Sequence, residues 1–135
     1  MDSLILPFGL HTVTPYLVVD DVLSLISFLT KVFGATSRGE PKVRDDGSIM
    51  HAEIEIGDSV IMMGEPQDGF PSISSMLYVY VSDCDQVYEK ALASGATSVI
   101  EPALYPHGDR YGGVQDLAGN TWWIVTHTGT ASHDG

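Results

Sequence analysis

The chain of 135 residues carries eighteen acidic against six basic side chains, a formal charge of −12, and 44% of its residues are hydrophobic. That length admits one domain or two very small fused modules, and the hydrophobic content suffices for a packed core rather than a disordered chain. The acidic balance excludes the basic surface on which nucleic-acid binding and adhesion to anionic membranes rely.

The segment from Met1 to Pro7 has an acidic residue where a signal peptide needs a basic one, and no run approaches the roughly 18 apolar residues of a membrane helix. The first strand is expected over residues 14–19, capped into a helix by Asp20 or Asp21. Val22, Leu25, Ile26, Leu29, Val32 and Phe33 fall at helical spacing, and Gly34 stops the helix. His51 to Ile56 alternates as a strand, Gly57-Asp58 reads as a two-residue turn, and Ser59 to Met63 returns. A Pro/Gly-rich linker covers residues 65–75. Beyond it a strand around Tyr78 to Val81 leads through Asp83 or Asp85 into a helix with Val87, Ala91 and Leu92 on its buried stripe, ended by Gly95. The stretch 102–109 reads as a loop, 111–116 and 121–126 as strands about an Ala118-Gly119-Asn120 turn, and the end of the chain as a frayed tail. Cys84 is the single cysteine, which excludes an internal disulfide and a cysteine-based zinc site and fits a reducing cytoplasm. A cytoplasmic protein is therefore expected.

An internal repeat organises these elements. Tyr16-Leu17-Val18-Val19-Asp20-Asp21 matches Tyr78-Val79-Tyr80-Val81-Ser82-Asp83, and Gly34-Ala35-Thr36-Ser37 matches Gly95-Ala96-Thr97-Ser98. The order strand, acidic cap, helix, glycine stop, alternating strands recurs, so the expectation is an α+β chain of two tandem βαβββ modules, 11–66 and 75–128, with a flexible tail at 129–135.

His51-Ala52-Glu53-Ile54-Glu55-Ile56-Gly57-Asp58, Gly108-Asp109-Arg110-Tyr111-Gly112 and Asp116-Leu117-Ala118-Gly119-Asn120-Thr121-Trp122-Trp123 carry a family resemblance. The chain resembles the vicinal oxygen chelate superfamily of glyoxalases, extradiol dioxygenases and bleomycin-resistance-type binding proteins. Within it the chain is most similar to the PhnB-like branch, as its opening Thr14-Pro15-Tyr16-Leu17-Val18-Val19 also suggests. The resemblance implies curved mixed sheets enclosing a cavity, usually across a homodimer. Metal-dependent relatives place ligands on the first and last strand of each module, positions that here fall on Thr14, Met62, Met76 and Trp123. None is a ligand for a divalent ion, and a slip of one residue supplies none either. No metal and no cofactor are expected.

Strand parity sends Leu17, Val19, Ile54, Ile61, Met63 and Val79 toward the helices and the alternate residues toward the cavity. Tyr16, Met62, Met76, Tyr78, Tyr111 and Trp123 are thereby the expected ligand-binding set, planar and adaptable side chains suited to a small-molecule site; packing in a filled barrel would use the same residues. His51 and Glu53 share that face. In a closed cavity Glu53 would be desolvated with a raised pKa and form an acid-base pair with His51, the candidate catalytic pair; on an exposed edge they would simply be solvated. Arg110 either pairs with a carboxylate such as Asp116 or offers its guanidinium to an anionic substrate. His107 and His127 read as surface residues, and His11 with His51 is the one route by which a metal could return. Cys84, at a helix start that can lower a thiol pKa, lacks a base and reads as inert. The expected function is sequestration or carriage of a small aromatic or cationic ligand in a metal-free cavity. The alternatives are a glyoxalase-, isomerase- or lyase-like enzyme working through His51 and Glu53 or through an atypical metal site, and an accessory protein whose cavity is filled.

Overall fold

The computed structural model describes residues 4–106 and 108–129. His107 and the expected tail beyond Gly129 lie outside the described residues. The first module runs β1 (Tyr16–Val18), α1 (Val22–Phe33), β2 (Thr36–Ser37), β3 (Lys42–Val43), β4 (Ile49–Ile56) and β5 (Ser59–Gly64). The second runs β6 (Met76–Tyr80), α2 (Cys84–Ala93), β7 (Thr97–Leu104), β8 (Asp109–Gln115) and β9 (Thr121–His127). The sheets have matching orders, β1-β5-β4-β2 with β3 also on β4, and β6-β9-β8-β7. In each, the first strand lies parallel to the last and the other pairings are antiparallel. Two modules of the βαβββ kind result, the first with one strand place divided between the short β2 and β3 that both pair with β4, in two curved, unclosed mixed sheets.

Both helices begin on an aspartate at matching places in the repeat. Asp21 accepts from the Ser24 N–H at 3.0 Å and Asp83 from the Gln86 N–H at 3.2 Å, each satisfying a donor the helix cannot. Glu65, expected in the linker, instead clamps the first module: its carboxylate accepts from Val22 N–H at 2.9 Å and Ile49 N–H at 2.8 Å. Gly34, at φ 69°, ends α1 in the left-handed conformation that glycine adopts most cheaply. The buried face of α2 is Cys84, Tyr88 and Ala91, while Val87 and Leu92 pack at its margin.

Two expected boundaries move. β1 is shorter than 14–19 because Pro15 has no N–H to give to the ladder, although its carbonyl still accepts from Met62. β7 continues through Pro102 to Leu104, where a loop was expected; as an outer strand with register shifts around Ile100 it tolerates the proline.

One cluster of buried residues joins the modules. Leu17, Leu29, Ile54 and Met63 from the first meet Val114, Trp122 and Ile124 from the second, and the rings of Phe33 and Trp122 lie 5.6 Å apart. Each sheet therefore spends one face on the helix-filled core and leaves the other open. Among the described residues no helix is long and apolar enough to cross a membrane.

Candidate functional site

Alternation along β4 and β5 places His51, Glu53, Glu55 and Met62 on the open face of the first sheet, while Ala52, Ile54 and Met63 are buried behind it. His51 Nε2 and Glu53 Oε2 are 2.8 Å apart. Arg38, just past β2, reaches across with Nε to Glu53 at 3.2 Å and Nη1 to Glu55 at 3.3 Å, and its Nη2 donates to the Phe8 carbonyl at 2.8 Å. The hydrogen bond from His51, helped by Arg38, holds the Glu53 carboxyl below its ordinary range against an opposing effect of partial burial. The raised pKa is expected only of a closed cavity; on this open face two donors outweigh the partial burial. An ionised Glu53 only accepts, so Nε2 carries the proton and Nδ1 of a neutral His51 is its acceptor. Tyr16 lies against this pair, its ring 5.8 Å from that of His51, its hydroxyl donating to the Met50 carbonyl at 3.2 Å.

The open face of the second sheet is aromatic. Tyr78, Tyr111 and Trp123 form a triangle with centroids 6.0–6.5 Å apart, Tyr111 and Trp123 edge to face. Tyr105, which sequence reasoning missed, stacks on Tyr111 at 4.2 Å. A Cβ on Gly113 would stand 2.5 Å from the Trp123 ring, so glycine there lets the indole lie flat across β8. Tyr78 is 57% exposed, Met76 68% and Tyr80 64%. Desolvation beside Tyr105 and Tyr78 pushes the Tyr111 phenol up. Adjacent tryptophans have opposite fates: Trp122 is fully buried and Trp123 lies on the open face.

The remaining candidates fall elsewhere. Arg110 pairs with Asp85 at the start of α2 through two bonds of 2.9 Å, not with Asp116, because β8 sends it to the helix side while Tyr111 faces out. That pairing holds the Asp85 carboxyl low. Asp116 is occupied by Trp122 Nε1 at 2.7 Å and by Asn120. Burial pushes the Cys84 thiol up, outweighing the Thr126 hydroxyl that favours the thiolate. His127 is a surface residue as expected, and it bonds Asp109 there at 2.6 Å. His11 is exposed, in a turn with Thr14.

Strand register relates the expected ligand positions to one another. Met62 stands opposite Tyr16 and Trp123 opposite Tyr78, so Thr14 and Met76 precede those pairs by one same-face step. Tyr16, Met62, Tyr78 and Trp123 do not fit a divalent ion. The donors nearby, His51 and Glu53, already engage each other, with a guanidinium on the carboxylate. Among the described residues no group of three or more His, Cys, Asp or Glu could hold a metal ion.

A cleft of about 360 Å³ lies in the helix layer instead, between α1 and the β8–β9 turn, lined by residues including Asp21, Leu25, Phe28, Lys31 and Leu117. Asp21 there is committed to capping α1. The convergent polar and aromatic groups that mark a binding site lie on the sheets.

A family model described as the Glyoxalase/Bleomycin resistance protein/Dioxygenase superfamily matches residues 9–124. An uncharacterized protein of Mycobacterium bovis is 34% identical over 122 residues, covering 81% of this chain and 78% of its own. Among solved structures, TioX from Micromonospora sp. ML1 is similar at 25% identity and TM-score 0.72, over 84% of this chain and 96% of that one. A PhnB protein from Bacillus cereus is similar at 20% identity and TM-score 0.67, over 86% and 99%.

Proposed function

The chain belongs to the glyoxalase/bleomycin resistance protein/dioxygenase superfamily, and from that premise we propose that it binds a small planar aromatic or cationic molecule, sequestering or carrying it without a metal. The observation that carries this reading is the exposed aromatic cluster, with Trp123 seated flat on Gly113. Such a wall offers area at low cost in side-chain entropy, and Glu55 with the chain's net charge of −12 favours a cation.

The two sheets share one core, so their open faces turn outward and one chain encloses no site between them. Two copies related by a twofold axis would set the His51–Glu53 face of each against the aromatic face of the other, twice over. The ligand set is then Tyr16 and Met62 from one copy with the partner's Met76, the partner's Tyr78, the partner's Tyr111 and the partner's Trp123; Arg110, committed to Asp85, is outside it.

Titration with ethidium, a planar aromatic cation, against an uncharged aromatic of similar size tests the reading. Saturable binding of ethidium is expected, and Trp123→Ala should raise Kd at least about ten-fold, the effect of some 1.4 kcal/mol, with the fold intact. Equal affinity in that variant removes Trp123 from the site, and a chain that binds neither probe favours an accessory protein.

A second reading draws on the His51–Glu53 bond. His51, oriented by an ionised Glu53 with Nδ1 as acceptor, is arranged as a general base for a glyoxalase-, isomerase- or lyase-like proton transfer. Turnover of an α-ketoaldehyde–thiol adduct that is lost in His51→Gln would establish it; a wild-type chain without turnover removes it.

A further inference from the structure

The cleft in the helix layer departs from the repeat. Its floor is one stripe of α1, where Leu25 and Phe28 are 4% and 8% exposed, and its wall is the β8–β9 turn. In the first module Gly57-Asp58 alone joins β4 to β5, whereas the longer turn 116–120 joins β8 to β9. That turn is tied down from within. Asp116 accepts from the N–H groups of Ala118 at 2.8 Å and Asn120 at 3.0 Å and from Trp122 Nε1 at 2.7 Å, and Asn120 Oδ1 accepts from the Ser75 N–H at 2.8 Å. What the turn presents to the cleft is Leu117, an 85% exposed apolar side chain. Charges stand at the two ends of the stripe. Asp20 and Asp21 lie at the start of α1 and Lys31 in its last turn, about 15 Å further along the axis. Asp21 caps the helix, but among the described residues neither Asp20 nor Lys31 has a side-chain partner.

We propose that this cleft is a second binding site, for a small zwitterion with an ammonium and a carboxylate at opposite ends of an apolar chain. The ammonium meets Asp20 beside Asp21, the chain lies on Leu25 and Phe28 against Leu117, and the carboxylate meets Lys31. A volume of about 360 Å³ suits a ligand of that size. Exposed ion pairs contribute little by themselves, so burial of the chain supplies the affinity and the two charges select the ligand and its direction. The dipole of α1 opposes this direction with about half a charge at each end, which a full carboxylate and a full ammonium outweigh. The site lies on the helix side of the sheets, so it goes beyond the aromatic open face and does not depend on it.

Titration of the amide NMR spectrum with 8-aminooctanoate, beside octylamine and octanoate, tests the site. Saturable shifts at residues 24–31 and 117–118 are expected with the zwitterion, and each single-charged probe should bind about two- to five-fold more weakly. Lys31→Met should weaken 8-aminooctanoate by a similar factor and leave octylamine no weaker; Asp20→Asn should weaken it likewise and leave octanoate no weaker. Both side chains are exposed, so the free variants should keep the wild-type spectrum away from the substituted position. Leu117→Asp should weaken all three probes. The absence of saturable shifts in those segments, octylamine binding as tightly as 8-aminooctanoate, or an affinity unchanged in Lys31→Met overturns the proposal. Shifts gathered around Tyr78 and Trp123 instead would move the zwitterion to the aromatic face, overturning the second site while leaving that face's own reading intact.

Discussion

The two open faces occupy equivalent places in a repeated fold but keep their shape by different means. On the first sheet, side chains are oriented by charge: Arg38, Glu53, Glu55 and His51 form a chain of hydrogen bonds. On the second they are oriented by steric seating, with Trp123 over Gly113 and Tyr105 stacked on Tyr111. A face held by ion pairs responds to pH and salt, and a face held by packing does not. One repeated scaffold therefore offers a titratable wall and a rigid one.

The sharpest test separates the adjacent tryptophans. Trp122→Ala empties the shared core and removes the indole from Asp116, at a cost of about 3–5 kcal/mol, which chemical denaturation would read as loss of most of the stability. Trp123→Ala, on the open face, should leave the denaturation midpoint nearly in place. Next in size is Gly113→Ala, whose methyl must displace the Trp123 ring. We expect a loss of at most about 1 kcal/mol, since only the ring's own cross-strand packing is forfeited, with a changed near-ultraviolet dichroism; an unchanged spectrum would show that the indole is not seated there.

The smallest effect distinguishes the charged face. Glu53's folded pKa lies below its ordinary 4.5, so its contribution is fully present above that value and is lost as pH falls through the lowered folded one. Glu53→Gln should lower stability at neutral pH by at most about 1 kcal/mol and lessen the acid-induced loss. The aromatic-face variant Gly113→Ala should keep the wild-type acid limb, and parallel acid limbs for wild type and Glu53→Gln would show that the carboxylate is not held by His51 and Arg38.

Much of this arrangement is legible in sequence because it is local. The caps at Asp21 and Asp83, the hairpin at Gly57-Asp58 and the repeat all depend on neighbours a few residues apart. Parity along β4 and β9 suffices to separate Ile54 from Glu53 and Trp122 from Trp123. Arg38 escaped because β2 is two residues long, too short to show alternation, and its partners are set by pairing with β4 across fifteen residues or more. Tyr105 escaped because it sits just past β7 in what reads as a loop. The partner of Arg110 was accessible: with Tyr111 facing out, parity alone sends Arg110 to α2 and away from any ligand.

The proline in β7 has a consequence for how such molecules meet. β7 is an outer strand of its sheet, and such a strand is a template on which another chain can add by backbone pairing. Pro102 has no N–H to offer, and the register shifts on either side of Ile100 break the even spacing a recruited strand would need. This border of the second sheet is thereby blunted against open-ended fibre growth.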